Sequence, residues 1–177
     1  MIQHNQSHDK RGYFFKFFTC NEFENFGLQI DIKEVFVSIS KLHTIRGMHF
    51  QLPPLEQSKV VTVLKGKIMD VVLDLRTDSS TYGKFEKFIL SDDEPASLYV
   101  GPGLAHGFLS LIDNSMTCYL TSELYNPDLD SGIRWSSFGF EWYVKSPIIS
   151  ERDLNLPFFE EFKSPFMLKN EREENRR

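Results

Sequence analysis

The chain has 177 residues, 41% hydrophobic and 25% charged, with 17 Phe, 10 Gly, 8 Pro and 2 Cys, a make-up that excludes a disordered or fibrous protein and predicts one globular domain. A formal net charge of -5 argues against a nucleic-acid surface as the main business, while leaving room for a basic pocket that takes a small anion. No apolar stretch approaches the ~18 residues of a spanning helix, residues 1–10 lack a signal peptide's apolar segment, and Cys20 and Cys118 form no C-x-x-C pair, so the expected setting is a reducing cytoplasm without membrane or zinc ribbon.

The predicted elements begin with a short helical turn over residues 22–26, capped by Asn21 and stopped at Gly27. Residues 34–40 alternate apolar and polar side chains and are predicted as a strand. The clearest unit is two apolar runs, 60–64 and 68–75, around Lys65-Gly66-Lys67, where a glycine free to take a positive φ predicts a hairpin. A turn rich in Asp, Ser and Thr at 77–83 leads to a strand at 84–90. Strands at 97–100, 106–112 and 116–123 follow, separated by Gly101-Pro102-Gly103 and Asp113-Asn114. Residues 154–162 are predicted to hold one more helix.

Short strands with regular turn signals and little helix predict a mainly β fold, a jelly-roll barrel whose inward side chains can line a pocket. Residues 1–168 are expected to form that single domain, and the charged run 169–177 a solvated tail.

Two segments carry residues suited to chemistry. In Arg46-Gly47-Met48-His49-Phe50-Gln51 a regular strand would turn Arg46 and His49 to opposite faces, and a bulge at Gly47 would bring both into one pocket. In Gly101–Phe108 a second histidine, His106, enters a strand from a tight turn. Barrel proteins that hold a metal commonly use an H-x-H pair, but the partner position after His49 is Gln51, so no metal is expected.

The run Arg46-Gly47-Met48-His49-Phe50-Gln51, with Lys59, Gly66, Asp70-Val71 and Asp74-Leu75-Arg76, resembles the dTDP-4-dehydrorhamnose 3,5-epimerase family. The resemblance continues in order through Ser80-Thr81-Tyr82-Gly83-Lys84, Gly103-Leu104-Ala105-His106-Gly107-Phe108, Tyr119, Tyr125-Asn126-Pro127, Gly132-Ile133-Arg134-Trp135 and Ser150-Glu151-Arg152-Asp153. It implies a cupin-type jelly roll that assembles as a homodimer and epimerises a nucleotide-linked 4-keto-6-deoxyhexose at C3 and C5 without metal or organic cofactor. It also implies His49 as the base, Tyr119 as the acid across the ring, and Asp153 as the partner that orients His49 and favours its protonated form. Lys59 would meet the enolate oxygen, and His106 would line the same pocket. Arg46 and Arg11 would bind the diphosphate, Arg11 from a neighbouring subunit, with Gln51, Phe14, Tyr125 and Arg152 as further substrate contacts. Taken singly, each has an ordinary structural role: Tyr119 a strand aromatic, Asp153 a helix cap, Lys59 a rim charge.

The chain departs from the family pattern where nucleotide and sugar are recognised. A usual Gln-x-Asn pair falls on Glu34 and Phe36, a Glu five residues after the early Arg is Lys16, and an aromatic before the Tyr-x-Pro motif is Leu124. These changes leave CDP and GDP open beside dTDP, and a single-carbon epimerase or a non-catalytic sugar-nucleotide-binding cupin as alternatives. The start of the chain lies close to Asp9-Lys10-Arg11-Gly12, so a strand that precedes this motif in relatives is expected to be absent.

Overall fold

The structure, a computed structural model, describes residues 1–168; the expectation for 169–177 lies outside the described residues. Its strands are β1 (Ile2–Gln3), β2 (Gln6–Asp9), β3 (Gly12–Phe15), β4 (Glu34–Ser40), β5 (Ile45–Gln51), β6 (Lys59–Lys65), β7 (Lys67–Asp74), β8 (Phe85–Ser91), β9 (Ala96–Val100), β10 (Leu104–Ser110), β11 (Ser115–Thr121) and β12 (Asp130–Gly132). Two short helices, α1 (Cys20–Asn25) and α2 (Glu151–Leu154), and a 3-10 turn at Phe159–Glu161 complete the described elements. Two five-stranded antiparallel sheets face each other, the first in the order β1-β9-β6-β11-β4 and the second β12-β5-β10-β7-β8, while β2 and β3 form a separate hairpin. This is the expected jelly roll, of cupin-like form.

Three apolar layers hold the sheets. Val61, Val63, Ile68, Leu90, Leu98 and Phe108 fill the space between them. The outer face of the second sheet is covered by the C-terminal segment through Phe138, Trp142 and Phe166, and much of the first by α1 through Phe23. Strands covered on both faces have no reason to alternate, which is why Ala105–Ser110 is buried at every position.

The hairpin expected around Gly66 does not form. β6 pairs with β9 and β11, whereas β7 pairs with β8 and β10, so the chain crosses from one sheet to the other at this glycine. Gly66 takes φ +90, and a Cβ there would sit 2.7 Å from Ser115 Oγ, so the crossing demands glycine for space as well as for conformation.

Other expectations shift locally. Thr19, not Asn21, caps α1, accepting from the Glu22 amide at 3.4 Å. The helix expected at 154–162 is broken: α2 ends at Leu154 and Pro157 separates it from the 3-10 turn. Near the start of the chain, Ile2 and Gln3 do pair, with Ser97 and Ala96 of β9.

Candidate active site

The bulge expected at Gly47 is present. Across β10, His106 faces His49 and Phe108 faces Arg46, so one residue of β10, Gly107, lies opposite two of β5, Gly47 and Met48. Because His106 and Phe108 share a face and cross-strand partners share theirs, Arg46 and His49 both turn into the barrel, where Phe108 packs in the inter-sheet core. Met48 goes the other way and is fully buried in the outer layer. The strands approach so closely that a Cβ on Gly47 would stand 2.9 Å from the His106 carbonyl oxygen and collide with the Gly107 backbone.

His49 is bonded to Asp153, Nε2 to Oδ1 at 2.7 Å, and the other carboxylate oxygen accepts from the Gly47 amide at 3.2 Å. Asp153 is free for this because Ser150 caps α2, accepting from the Asp153 amide at 3.1 Å. Burial alone would raise the Asp153 carboxyl, but the bonds from His49 and Gly47 and the charge of Arg152 hold it below the usual carboxylate range. An ionised carboxylate only accepts, so Nε2 of the neutral imidazole carries the hydrogen and Nδ1 keeps its lone pair. The resemblance implies a carboxylate that favours protonated His49; the net shift runs the other way. Burial depresses the imidazole pKa, Asp153 offsets part of this, and Arg152 and Lys59 add to the depression.

Arg152 stands 3.3 Å from His49 Nε2 and pairs with Asp130 at 2.6 Å. Lys59 lies in the row Lys59-Thr121-Glu34 across the first sheet. Burial, eased by Asp130 and reinforced by Arg152, pulls its ammonium down to about 8.

Tyr119 belongs to the first sheet, between Val61 of β6 and Phe36 of β4. Its hydroxyl shares a 3.1 Å hydrogen bond with Ser38, its ring stacks on Phe36 at 4.7 Å between centroids, and the His106 ring meets it nearly edge-on at 6.3 Å. Burial pushes the phenol above the ordinary tyrosine range; Ser38 and Arg46 oppose the rise and Asp70 adds to it. His106 thus links the sheets, lying beside His49 in the second and touching Tyr119 of the first. Its Nε2 is 2.7 Å from Asp70 Oδ2, a second histidine–carboxylate pair.

Of the candidate residues, hydrogen bonds, ring contact, cross-strand pairing and charge interactions link His49, Asp153, Lys59, Tyr119, Arg46, His106 and Arg152 into one cluster. Arg46 is held by Ser40 at 3.0 Å, and Tyr125 lies exposed with its amide donating to Glu34 at 2.9 Å. Gln51 does not join them: it is 2% exposed, its amide nitrogen donates to the Leu55 and Leu124 carbonyls, and its oxygen accepts from Asn126, so it braces two loops. Arg11 and Phe14 lie on the β2–β3 hairpin, Arg11 ion-paired with Asp9 and Phe14 63% exposed, and within one chain they make no contact with the site. Sequence reasoning assigned no role to Asp70, Ser38 or Asp130. Asp70 carried a signal, a charged side chain inside an apolar strand that must find a partner when buried. Among the described residues no group of three or more His, Cys, Asp or Glu side chains is placed to hold a metal ion, and no helix is long and apolar enough to cross a membrane.

Comparison with known proteins identifies the family and the fold. The sequence profile of dTDP-4-dehydrorhamnose 3,5-epimerase matches residues 1–161. The chain is 40% identical over 151 residues to the dTDP-4-dehydrorhamnose 3,5-epimerase of Mycolicibacterium smegmatis, covering 84% of this chain and 75% of that protein. It is 34% identical to a dTDP-4-dehydrorhamnose 3-epimerase of Streptomyces niveus, over 84% of this chain and 73% of the relative. Among solved structures, the dTDP-4-dehydrorhamnose 3,5-epimerase of Bacillus anthracis, with TDP and PPi bound, superposes with a TM-score of 0.86 at 37% identity, covering 88% of this chain and 91% of that one. With residues and fold in agreement, this chain belongs to the dTDP-4-dehydrorhamnose 3,5-epimerase family.

Proposed function

We propose that this isomerase inverts C3, C5 or both in a nucleotide-linked 4-keto-6-deoxyhexose, with His49 as base and Tyr119 as acid. The observation that carries this reading is the neutral, carboxylate-oriented imidazole on one sheet and the desolvated phenol on the other, with His106 touching the phenol from beside the imidazole. His49 Nδ1 removes the proton α to the C4 ketone, and the electron pair of the broken C–H bond moves onto the ketone oxygen as an enolate. The ammonium of Lys59, in a poorly solvated site, stabilises that oxyanion. Tyr119 then delivers its hydroxyl proton to the opposite face of the same carbon, completing the inversion; return of the proton from His49 would restore the starting configuration.

The guanidinium of Arg46 takes the diphosphate, with Arg152 and Tyr125 at the rim. Arg11 and Phe14, remote from their own chain's site, serve the site of a second copy in a homodimer. A dTDP-sugar is the first choice of substrate, because the relatives act on dTDP-sugars by name and the Bacillus anthracis structure holds TDP. The Streptomyces niveus 3-epimerase favours a second reading, inversion at C3 alone.

The test is incubation with dTDP-, CDP- and GDP-linked 4-keto-6-deoxyhexoses in D2O, following C3 and C5 by NMR. Deuterium with inversion at both carbons is the expected result, and deuterium at C3 alone selects the second reading. Deuterium at neither carbon for every candidate overturns catalysis in favour of a binding protein.

A further inference from the structure

Strand β4 is an edge strand, yet each of its inward side chains touches a residue of the site. Glu34 accepts from the Tyr125 amide at 2.9 Å, Ser38 bonds the Tyr119 hydroxyl at 3.1 Å and Ser40 accepts from Arg46 at 3.0 Å. Phe36 is the apolar member of this row. It lies directly across from Tyr119, its ring 4.7 Å from the phenol ring and only 17° from parallel, and it remains 43% exposed.

A hydrogen bond fixes the phenol oxygen, but rotation about the Cβ–Cγ bond, whose axis passes through that oxygen, is soft and swings the ring plane, and with it the O–H bond that prefers to lie in that plane. Ser38 supplies the first constraint. Phe36, lying nearly parallel to the ring, supplies the second, while His106 meets the phenol edge-on at 74°. Phe36 also covers the ring on the side of the open sheet edge, where a small side chain would admit water. Proton delivery needs the O–H bond aimed at one carbon, and a misplacement of the proton by about 1 Å is enough to slow such a step strongly. Proton removal by His49, on the facing sheet, makes no such demand on this ring.

We propose that Phe36 is a positioning residue for protonation: its stack on Tyr119 aims the phenol at the sugar carbon and keeps water from that face, so it governs inversion without governing proton abstraction. The proposal rests on the assignment of Tyr119 as the acid.

The experiment compares wild type with Phe36→Ala, Phe36→Ser and Phe36→Tyr, reading deuterium exchange and inversion separately in D2O with the nucleotide sugar that wild type turns over. The Tyr119 phenol is titrated in parallel by ultraviolet difference absorption, with Tyr119→Phe as the blank. In Phe36→Ala and Phe36→Ser, exchange holds while inversion falls about tenfold, the scale of one aromatic pair. The phenol titrates at lower pH in both, and Phe36→Tyr restores both readouts. Equal loss of exchange and inversion would mean a merely structural role and overturn the proposal, as would unchanged inversion or an unmoved phenol titration. Should wild type neither exchange nor invert any candidate, the epimerase reading itself fails; normal wild-type turnover with no effect at Phe36 defeats the positioning role alone.

Discussion

Two histidine–carboxylate pairs occupy neighbouring strands of the second sheet with the same 2.7 Å bond, and they differ in almost everything else. The His49 side chain is 25% exposed at the barrel mouth, beside Arg152, with an ionised Asp153. His106 is 5% exposed and Asp70 fully buried, and burial pushes the Asp70 carboxyl up despite the neighbouring His106. One oxygen of Asp70 has no hydrogen-bond partner among the described residues. The same two groups therefore form a pair open to solvent and cations, suited to the base role proposed for it, and a sealed pair suited to a fixed wall.

The largest contrast is expected in turnover. His49→Ala should lower exchange at both carbons by roughly 10²–10⁴, the range of a general base, whereas His106→Ala should retain exchange at a reduced level. Equal losses in both variants would erase the distinction between base and wall.

Stability should invert that order. Asp70→Ala leaves a buried imidazole without its partner and should cost roughly 3–5 kcal/mol, read as a fall in Tm, while Asp153→Ala, nearer solvent, should lower exchange with a much smaller change in Tm. A greater Tm loss for Asp153→Ala would place the structural pair at the mouth instead.

The pH dependence sharpens the comparison. With its pKa depressed, His49 stays neutral to below the ordinary histidine value, so the acid limb of kcat/KM should lie below about 6.5. The alkaline limb should fall near 8, where Lys59 loses the proton that stabilises the enolate. An acid limb above 6.5 would show that Asp153 outweighs burial. Linkage carries the same sign: the unfolded chain binds the His49 proton more tightly, so this group costs stability as pH drops through 6.5.

The smallest effect is expected from Arg152→Gln. Removing one neighbouring cation should raise the His49 pKa, followed by NMR of the imidazole in the unliganded protein; a lower value would contradict the electrostatic account.

Most of the strands were legible because turn residues punctuate them, and β4 was placed residue for residue by its alternation. Pairing was not. A glycine between two apolar runs signals a reversal equally well for a hairpin and for a passage between sheets, and only the neighbours of β6 and β7 distinguish them. At α1, Thr19 and Asn21 are both good caps two positions apart, and local sequence does not rank them. Within the site, the bulge was visible because Arg46 and His49 flank a glycine. Asp70 was not assigned because its partner His106 lies 36 positions away, and the stack on Phe36 because cross-strand neighbours are set by register. Gln51 shows the opposite failure, a motif position whose side chain is taken up by backbone groups of adjoining loops.

The close approach at Gly47 and Gly107 has a mechanical corollary. Cβ atoms at either position would overlap the facing main chain, so the spacing of the strands that bear both imidazoles is dictated by peptide-to-peptide contact rather than by the apolar filling. Substitutions among the aliphatic residues that soften the interior should thus leave the distance between the two rings nearly untouched, whereas one methyl group at Gly107 should pry the rings apart.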